Sequence, residues 1–179
     1  MALHYSSDEL FVVFFKWVNT FDLVPGQIET VVELGDGVLI FKLLSKLSPT
    51  YFTQSAINQF PRNQLDRNSN IIELKQCLEQ FFNDVIDEDI AIDQMIDHHR
   101  ITSTHPLSNA DPVRTQHYVR LLEMILLCSI KCENKHETIG KMTSLSMEEQ
   151  RTLMTILQAL MTNSGFVVKS DANNQSDSM

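Results

Sequence analysis

The sequence of 179 residues predicts a single all-α domain with six to eight helices. It contains only five glycines and five prolines, too few for a turn-rich sandwich or barrel. Apolar residues recur three and four positions apart along most of the chain, which is the spacing of amphipathic helices. Capping residues stand immediately before several of these stretches, as they do at helix starts.

The first predicted helix begins at a capping box formed by Ser6 and Glu9. Pro25-Gly26 is expected to end it. One helical face carries its large apolar side chains: Leu10, Phe14, Trp17 and Phe21.

A turn at Gly35-Asp36-Gly37 separates a short apolar segment, residues 28–34, from a second helix. That helix starts at Val38 and ends at Ser48-Pro49. Tyr51-Phe52 is expected to fold back onto the core.

A long central helix is predicted over residues 64–85, with Asn63 as its cap. Six acidic residues among apolar ones in residues 84–97 then indicate a short acidic helix. Residues 98–110 have the composition of a surface loop.

Asp111-Pro112 predicts the start of the most buried helix. Its inward face would carry Tyr118, Leu121, Leu122, Ile125, Cys128, Ser129 and Cys132. A short helix follows at residues 136–142, and a second capping box, Ser146 with Glu149, opens a last helix that runs to about Met161. We therefore predict a domain over residues 1–162, with 163–179 as a disordered tail or the start of a linker.

The charge balance excludes some partners. Fourteen Lys and Arg residues against 23 Asp and Glu residues give a net charge of -9. Binding to nucleic acid requires cationic side chains that neutralise phosphates, so neither nucleic acid nor an anionic membrane is an expected partner. The same charge disfavours, less strongly, the acidic surfaces of microtubules and actin filaments.

The chain is expected to be cytoplasmic. Three cysteines form no disulfide framework, which favours a reducing compartment. The N-terminus does not have the pattern of a signal peptide, and no apolar run is long enough to insert into a membrane.

Three groups of residues contain side chains that commonly bind metals, and none is predicted to be a metal site. Cys128, Cys132 and His136 are spaced four apart, but the sequence fixes no fourth zinc ligand, so buried thiols are favoured. A polar loop contains the second group, which is His98, His99 and His105. The third group is Asp87, Asp89 and Asp93, and the segment around it lacks the glycine and the glutamate of a calcium loop. No catalytic motif stands out either, so we predict a non-enzymatic protein without a cofactor.

The last helix carries apolar side chains on two faces. Leu153, Ile156 and Leu160 can face the core. A neighbouring stripe at i, i+4, i+7 and i+11 consists of Gln150, Met154, Leu157 and Met161. Such a helix is either buried on two sides or leaves one side open as a groove, and methionine is common at peptide-binding surfaces.

Several segments, in order along the chain, resemble the Hook domain, the calponin-homology-type module at the N-terminus of Hook-family dynein adaptors. Arg67, Asn68, Asn70 and Ile71 belong to the resemblance at the central helix. Segment 126–135 is similar to the family's Leu-x-Cys-x-x-x-Cys-Glu-x-Lys signature. The segments are 15–21 (FKWVNTF), 34–38 (LGDGV), 47–52 (LSPTYF), 126–135 (LLCSIKCENK) and 154–161 (MTILQALM).

The resemblance implies a calponin-homology-like helical bundle with an additional long C-terminal helix. In the family that helix helps to form a hydrophobic groove for an amphipathic helix of the dynein light intermediate chain. The matching positions are Gln150, Met154 and Leu157, where leucine replaces the usual isoleucine. The resemblance further implies cytoplasmic dynein–dynactin as the larger partner, a homodimer formed through a coiled coil outside this chain, and association with the cytoskeleton.

Two alternatives to this interpretation stay open. A calponin-homology module can bind microtubules or actin directly, although the net charge opposes it. The opening residues Met1-Ala2-Leu3-His4 and Trp17-Val18-Asn19 are also similar to the N-terminal module of the nuclear mitotic apparatus protein, for which the partner would be the same.

Overall fold

The computed structural model describes residues 5–162, which contain eight α-helices and no β-strand. The predicted all-α class is confirmed, whereas the predicted tail at 163–179 lies outside the described residues. Short 3-10 helices occupy Val31–Leu34 and Gln54–Ala56. The α-helices are α1 Ser7–Asn19, α2 Val38–Leu47, α3 Gln64–Phe81, α4 Ile92–Met95, α5 His98–Thr102, α6 Pro112–Lys131, α7 Lys135–Thr143 and α8 Met147–Thr162.

The four helix starts that were predicted from capping residues are confirmed. Ser6 Oγ accepts a hydrogen bond from the Glu9 amide at 3.2 Å, and the Glu9 carboxylate accepts one from the Ser6 amide at 2.7 Å. Asn63 and Asp111 cap α3 and α6 through their side-chain oxygens, at 2.9 and 3.0 Å. Ser146 forms the same reciprocal box at α8. These starts are predictable because each depends on residues within one turn.

Helix α6 is the centre of the bundle and packs against α1, α2, α4, α5, α7 and α8. It is buried nearly all round, including the side chains that were predicted to face inward. Trp17 of α1 is fully buried and meets Phe14 and Phe21 edge to face, with ring centroids 5.7 and 5.3 Å apart. Such pairs add roughly 0.5–1.5 kcal/mol beyond the burial of their area.

Helix α1 ends at Asn19, six residues before the predicted stop at Pro25. The Asn19 side chain donates to the Ile28 carbonyl at 2.9 Å and accepts from its amide at 2.8 Å. Asp22 adopts a left-handed conformation with φ 52 between them. The chain therefore reverses direction early, because the hydrogen bonds between Asn19 and Ile28, nine residues apart, fix the turn.

The central helical stretch reaches the predicted end near Val85, although its last turn is π-helical, whereas the acidic helix predicted after it is reduced to a single turn. Helix α3 ends at Phe81 and continues as a π-helical turn, Phe82–Ile86, and only Ile92–Met95 of residues 87–97 is helical. A regular helix would have set like charges four residues apart, with Asp89 and Asp97 both facing Asp93, which is destabilising. The irregular path instead buries Ile90 and Ile96 fully.

Residues 98–102 form helix α5, so the loop predicted over 98–110 is wrong there, whereas residues 103–110 are irregular and mostly exposed as predicted. Ile101 is completely buried. The Arg114 guanidinium, itself buried, donates to the carbonyls of Arg100, Ser103 and His105 at 2.7–2.9 Å. One α6 side chain therefore holds this segment, through backbone contacts that carry no local sequence signal.

Asn70 joins three parts of the fold from a position that is only 2% exposed. Its amide nitrogen donates to the carbonyls of Asp36 and Asn58 at 2.9 and 2.8 Å, and its oxygen accepts from the Asn58 amide at 2.9 Å. The side chain thereby pairs the backbone of two loops that lie outside any helix.

We expect Asn70→Leu to destabilise the domain by about 1–3 kcal/mol, because two carbonyls and one amide lose the partner of a partly buried hydrogen bond. Chemical denaturation monitored by circular dichroism measures the change. The control is Asn83→Leu at an exposed position, which should stay within about 0.5 kcal/mol of the wild type. Equal stability of both variants would contradict the role assigned to Asn70.

Within residues 5–162, none of the helices combines the length and the hydrophobicity that crossing a lipid bilayer requires.

Candidate partner-binding groove

A groove lies between α7 and α8, with the end of α6 at its side. Helix α8 packs mainly on α1 and α6 rather than along α7, so the two helices leave a gap of about 320 Å³. Most of the lining is aliphatic or thioether. The lining residues are Ile130, Lys131, Ile139, Met142, Thr143, Gln150, Leu153, Met154, Leu157, Gln158 and Met161.

The structure brings together all four residues that the sequence predicted for a binding stripe. Met154 and Met161 are 53% and 60% exposed, so their thioethers stand open to solvent along the groove. Gln150 is half-buried at one end. Leu157 is 6% exposed and belongs to the floor. Of the two interpretations left open for α8, the described geometry is that of a helix with one open side.

The floor of the groove is continuous with the core. Leu153 is 1% exposed, and Met142 of α7 is also buried. Leu153, Leu157 and Met142 all belong to the hydrophobic core cluster, so the floor is part of the packed interior. A ligand would meet a preformed apolar trough with two adaptable methionines at its rim.

Gln150 ties the two helices together at the α7–α8 corner. Its amide nitrogen donates to the Thr143 carbonyl at 3.1 Å and to the Leu145 carbonyl at 2.7 Å. Thr143 is the last residue of α7 and Leu145 follows shortly after it, so Gln150 acts as a side-chain cap at the end of that helix. The orientation of the amide follows from these two donations, and it turns Oε1 away from the corner.

Helix α7 packs on α6 and α2, and hydrogen bonds to the ends of α1 and α2 help to hold it in place. Asn134, just before α7, donates to the Leu47 and Lys46 carbonyls at 3.1 and 2.8 Å. Lys141 donates to the Thr20 carbonyl at the end of α1, at 2.9 Å. Both contacts satisfy carbonyls at helix ends, where cations and amide donors are favourable.

Glu133 supports the same junction from its exposed position. Its carboxylate accepts from the Thr50 amide and hydroxyl at 3.2 Å each, and from the Ser48 hydroxyl at 3.3 Å. These bonds, the Thr50 amide first, hold the pKa of Glu133 below its usual value. The Cys-Glu-x-Lys segment thus helps to place the wall of the groove.

Sequence reasoning missed the wall opposite α8. Ile139, which is 49% exposed, and Met142 project from α7 three residues apart, and Ile130 and Lys131 end α6. The apolar pair at i and i+3 was the available signal. A nine-residue helix carries too few apolar positions for that signal to reveal which face is open.

The other candidate side chains are not assembled into a site. Helix α6 ends at Lys131 with Cys132 as its C-cap residue, so His136 on α7 does not continue the stripe of Cys128 and Cys132. No group of three or more potential ligands within residues 5–162 is arranged to hold a metal ion.

Burial determines the state of the cysteines. It raises the pKa of the Cys77 thiol to about 11 and also raises the pKa of Cys128 and of Cys132. Thiols of this kind are protonated at neutral pH and therefore poor nucleophiles.

Among residues 5–162, Glu123 is the one carboxylate that is fully buried, and both of its oxygens have partners. Glu123 accepts from the Tyr5 hydroxyl at 2.7 Å and pairs with Arg120 at 3.1 Å. It lies outside the groove lining and joins the N-terminal segment to α6, so its arrangement is that of a structural ion pair.

Comparison with protein families gives a match over nearly the whole described chain. The model of the HOOK domain matches residues 9–159. Protein Hook homolog 1 of Gallus gallus is 26% identical over 149 residues, covering 81% of this chain and 20% of that protein. Protein Hook homolog 3 of Xenopus laevis is 28% identical over 146 residues, with the same coverages. The chain spans about a fifth of the length of the curated relatives it matches.

A solved structure gives the same fold. The solution structure of a conserved domain of the mouse HOOK1 protein superposes with a TM-score of 0.67 at 23% identity, covering 86% of this chain and 91% of that one. This likeness confirms the predicted helical bundle of calponin-homology type.

Proposed function

This chain belongs to the HOOK domain family, and from that premise we propose that it is a non-enzymatic adaptor module. Its α7–α8 groove binds an amphipathic helix of the dynein light intermediate chain and so links cargo to cytoplasmic dynein–dynactin. The observation that carries the proposal is the open apolar groove on α8, with Met154 and Met161 more than half exposed.

The groove suits a helix better than an extended peptide. Residues 5–162 contain no β-strand, and the lining offers mainly carbon and sulfur atoms rather than backbone donors and acceptors. A ligand here must satisfy its own backbone hydrogen bonds, as a helix does. From Gln150 to Met161 the wall is about 16 Å long at 1.5 Å per residue, enough for three turns of a bound helix.

The expected affinity is modest. Burial of a few large apolar side chains in a trough of this size suits a micromolar Kd, about -8 kcal/mol. We propose that the whole protein compensates as a homodimer formed through a coiled coil, because two tethered domains raise the effective concentration against a dimeric motor. Cytoplasmic, cytoskeleton-associated localisation belongs to the same proposal.

Calorimetric titration of the full chain with a synthetic light-intermediate-chain helix tests the proposal. We expect a micromolar Kd and a negative heat-capacity change, which marks burial of apolar surface. The control peptide has the same composition in an order without helical amphipathicity, and it should not bind. Absence of any heat and of any chemical-shift change at millimolar peptide would refute the proposed partner.

Cosedimentation at physiological salt separates this function from direct filament binding. We expect the domain to stay in the supernatant with both microtubules and actin, because its net charge of -9 opposes acidic filament surfaces. Pelleting with either filament would favour the calponin-homology alternative.

A further inference from the structure

The lining of the groove carries charge at one place. Lys131 is the only charged side chain among the described lining residues. It is exposed, is the last residue of α6, and forms no ion pair with any residue in the range 5–162. Its position lies between the two cysteines, where the Leu-x-Cys-x-x-x-Cys-Glu-x-Lys signature leaves the residue type open.

Gln150 provides a hydrogen-bond acceptor at another place in the groove. Its amide nitrogen is used twice, by the Thr143 and Leu145 carbonyls. Its Oε1 atom receives no hydrogen bond from a described residue and can accept one from a ligand.

These two groups stand near opposite ends of α7. Lys131 lies three residues before Asn134, the residue that precedes the first turn of α7. Gln150 is bonded to Thr143, the last residue of α7. The nine residues of α7 span about 13 Å at 1.5 Å per residue. Ile139 and Met142 line the groove between them.

The two ends of a bound helix also differ in charge and in hydrogen-bonding groups, as Lys131 and Gln150 do. At its N-terminus a helix has unpaired N–H groups and a partial positive charge, and at its C-terminus it has unpaired carbonyls and a partial negative charge. An acceptor therefore suits the N-terminal turn of a bound helix, and a lysine ammonium with three donors suits the C-terminal turn. Because the Lys131 ammonium has more than one N–H, it can donate to a carbonyl at the end of α6 and to a ligand carbonyl at the same time.

We infer that the groove binds its helix in one direction, with the C-terminal turn of the ligand beside Lys131 and the N-terminal turn beside Gln150. This inference rests on the proposed function and adds polarity to it. The aliphatic and thioether lining supplies affinity but does not distinguish the ends of a helix. A charge at a helix end changes affinity about two- to fivefold, which is small for binding yet sufficient to favour one direction.

Paramagnetic relaxation measures the direction. Two versions of the light-intermediate-chain helix, with capped ends, carry a nitroxide at the N-terminus or at the C-terminus, and each is added to the 15N-labelled full chain. We expect the C-terminal label to broaden the amide signals of Ile130 and Lys131 most, and the N-terminal label those of Thr143 and Gln150. The reverse pattern, or equal broadening by both labels, would overturn the inference while leaving the proposed function intact. No broadening by either label would refute the proposed function and this inference with it.

Matched charge reversals test the role of Lys131. Lys131→Glu is expected to weaken binding about fivefold or more, because a repulsive charge replaces an attractive one at the ligand's C-terminus. Lys46→Glu is the control, since Lys46 is also an exposed lysine in the last turn of a helix but lies outside the groove. Equal affinities of the two variants would show that Lys131 does not set the direction.

Discussion

Met154→Asp should weaken binding of the light-intermediate-chain helix at least about 100-fold. Burying a methionine side chain in the complex is worth roughly 1.5–3 kcal/mol, which the variant loses. The new carboxylate must also be desolvated against apolar ligand side chains without a partner. Since 1.4 kcal/mol corresponds to a factor of ten, the two effects together move a micromolar Kd beyond about 100 μM.

The same substitution should leave the fold unchanged, because Met154 is 53% exposed in the free domain. Thr155→Asp is the matched control: it adds the same charge one residue along α8, at an exposed position outside the groove. Calorimetry should find binding by Thr155→Asp close to that of the wild type. Undiminished binding by Met154→Asp would exclude this groove as the site. Leu157→Asp would be less informative, because Leu157 is nearly buried and its loss disturbs the core.

Gly35→Ala should be the most destabilising single methyl addition among the glycines of the described chain. A Cβ atom at Gly35 would stand 2.5 Å from the Ile101 carbonyl oxygen and 3.1 Å from the Val32 carbonyl oxygen. Both are backbone atoms, so no side-chain rotation relieves the overlap. The Ile101 oxygen also accepts the Tyr118 hydroxyl at 2.7 Å, and a shift of α5 would strain that bond. We expect a loss of about 3 kcal/mol.

Thermal unfolding measures the loss at Gly35, with a Tm lower by about 6–12 °C at 2–4 °C per kcal/mol. Gly140→Ala is the control, since Gly140 lies within α7 and a Cβ there meets nothing within 4 Å. That variant should be more stable by about 0.5–1 kcal/mol, because alanine is the better helix former. Comparable melting temperatures for the two variants would contradict the close packing of residue 35 on α5.

The helix starts could be predicted because their capping hydrogen bonds are local. Several helix boundaries differ from the prediction because they depend on tertiary contacts. Ser6, Asn63, Asp111 and Ser146 each cap a helix through residues within one turn, so the sequence around them contains the whole interaction. The end of α1 instead depends on Asn19 bonding to the backbone of Ile28. Helix α5 depends on Arg114, which reaches it from α6.

The candidate site also has one part that the sequence predicted, on α8, and one part that it did not, on α7. The period of α8 placed Gln150, Met154, Leu157 and Met161 on one stripe, because a helix of this length repeats its faces several times. The stripe by itself did not decide between a doubly buried helix and an open groove. That decision lies with α7, whose nine residues carry little periodic signal.

The sequence by itself therefore determined the helical class, the capped starts and the amphipathic stripe on α8, since all of these arise from residues a turn or a few turns apart. Only the tertiary structure decided that the stripe is open, that Ile139 and Met142 face it, and that Lys131 stands at one end. The physical reason is that the placement of α7 depends on its packing on α6 and α2 and on hydrogen bonds between distant helix ends, Asn134 to Leu47 and Lys141 to Thr20, which short-range patterns do not encode.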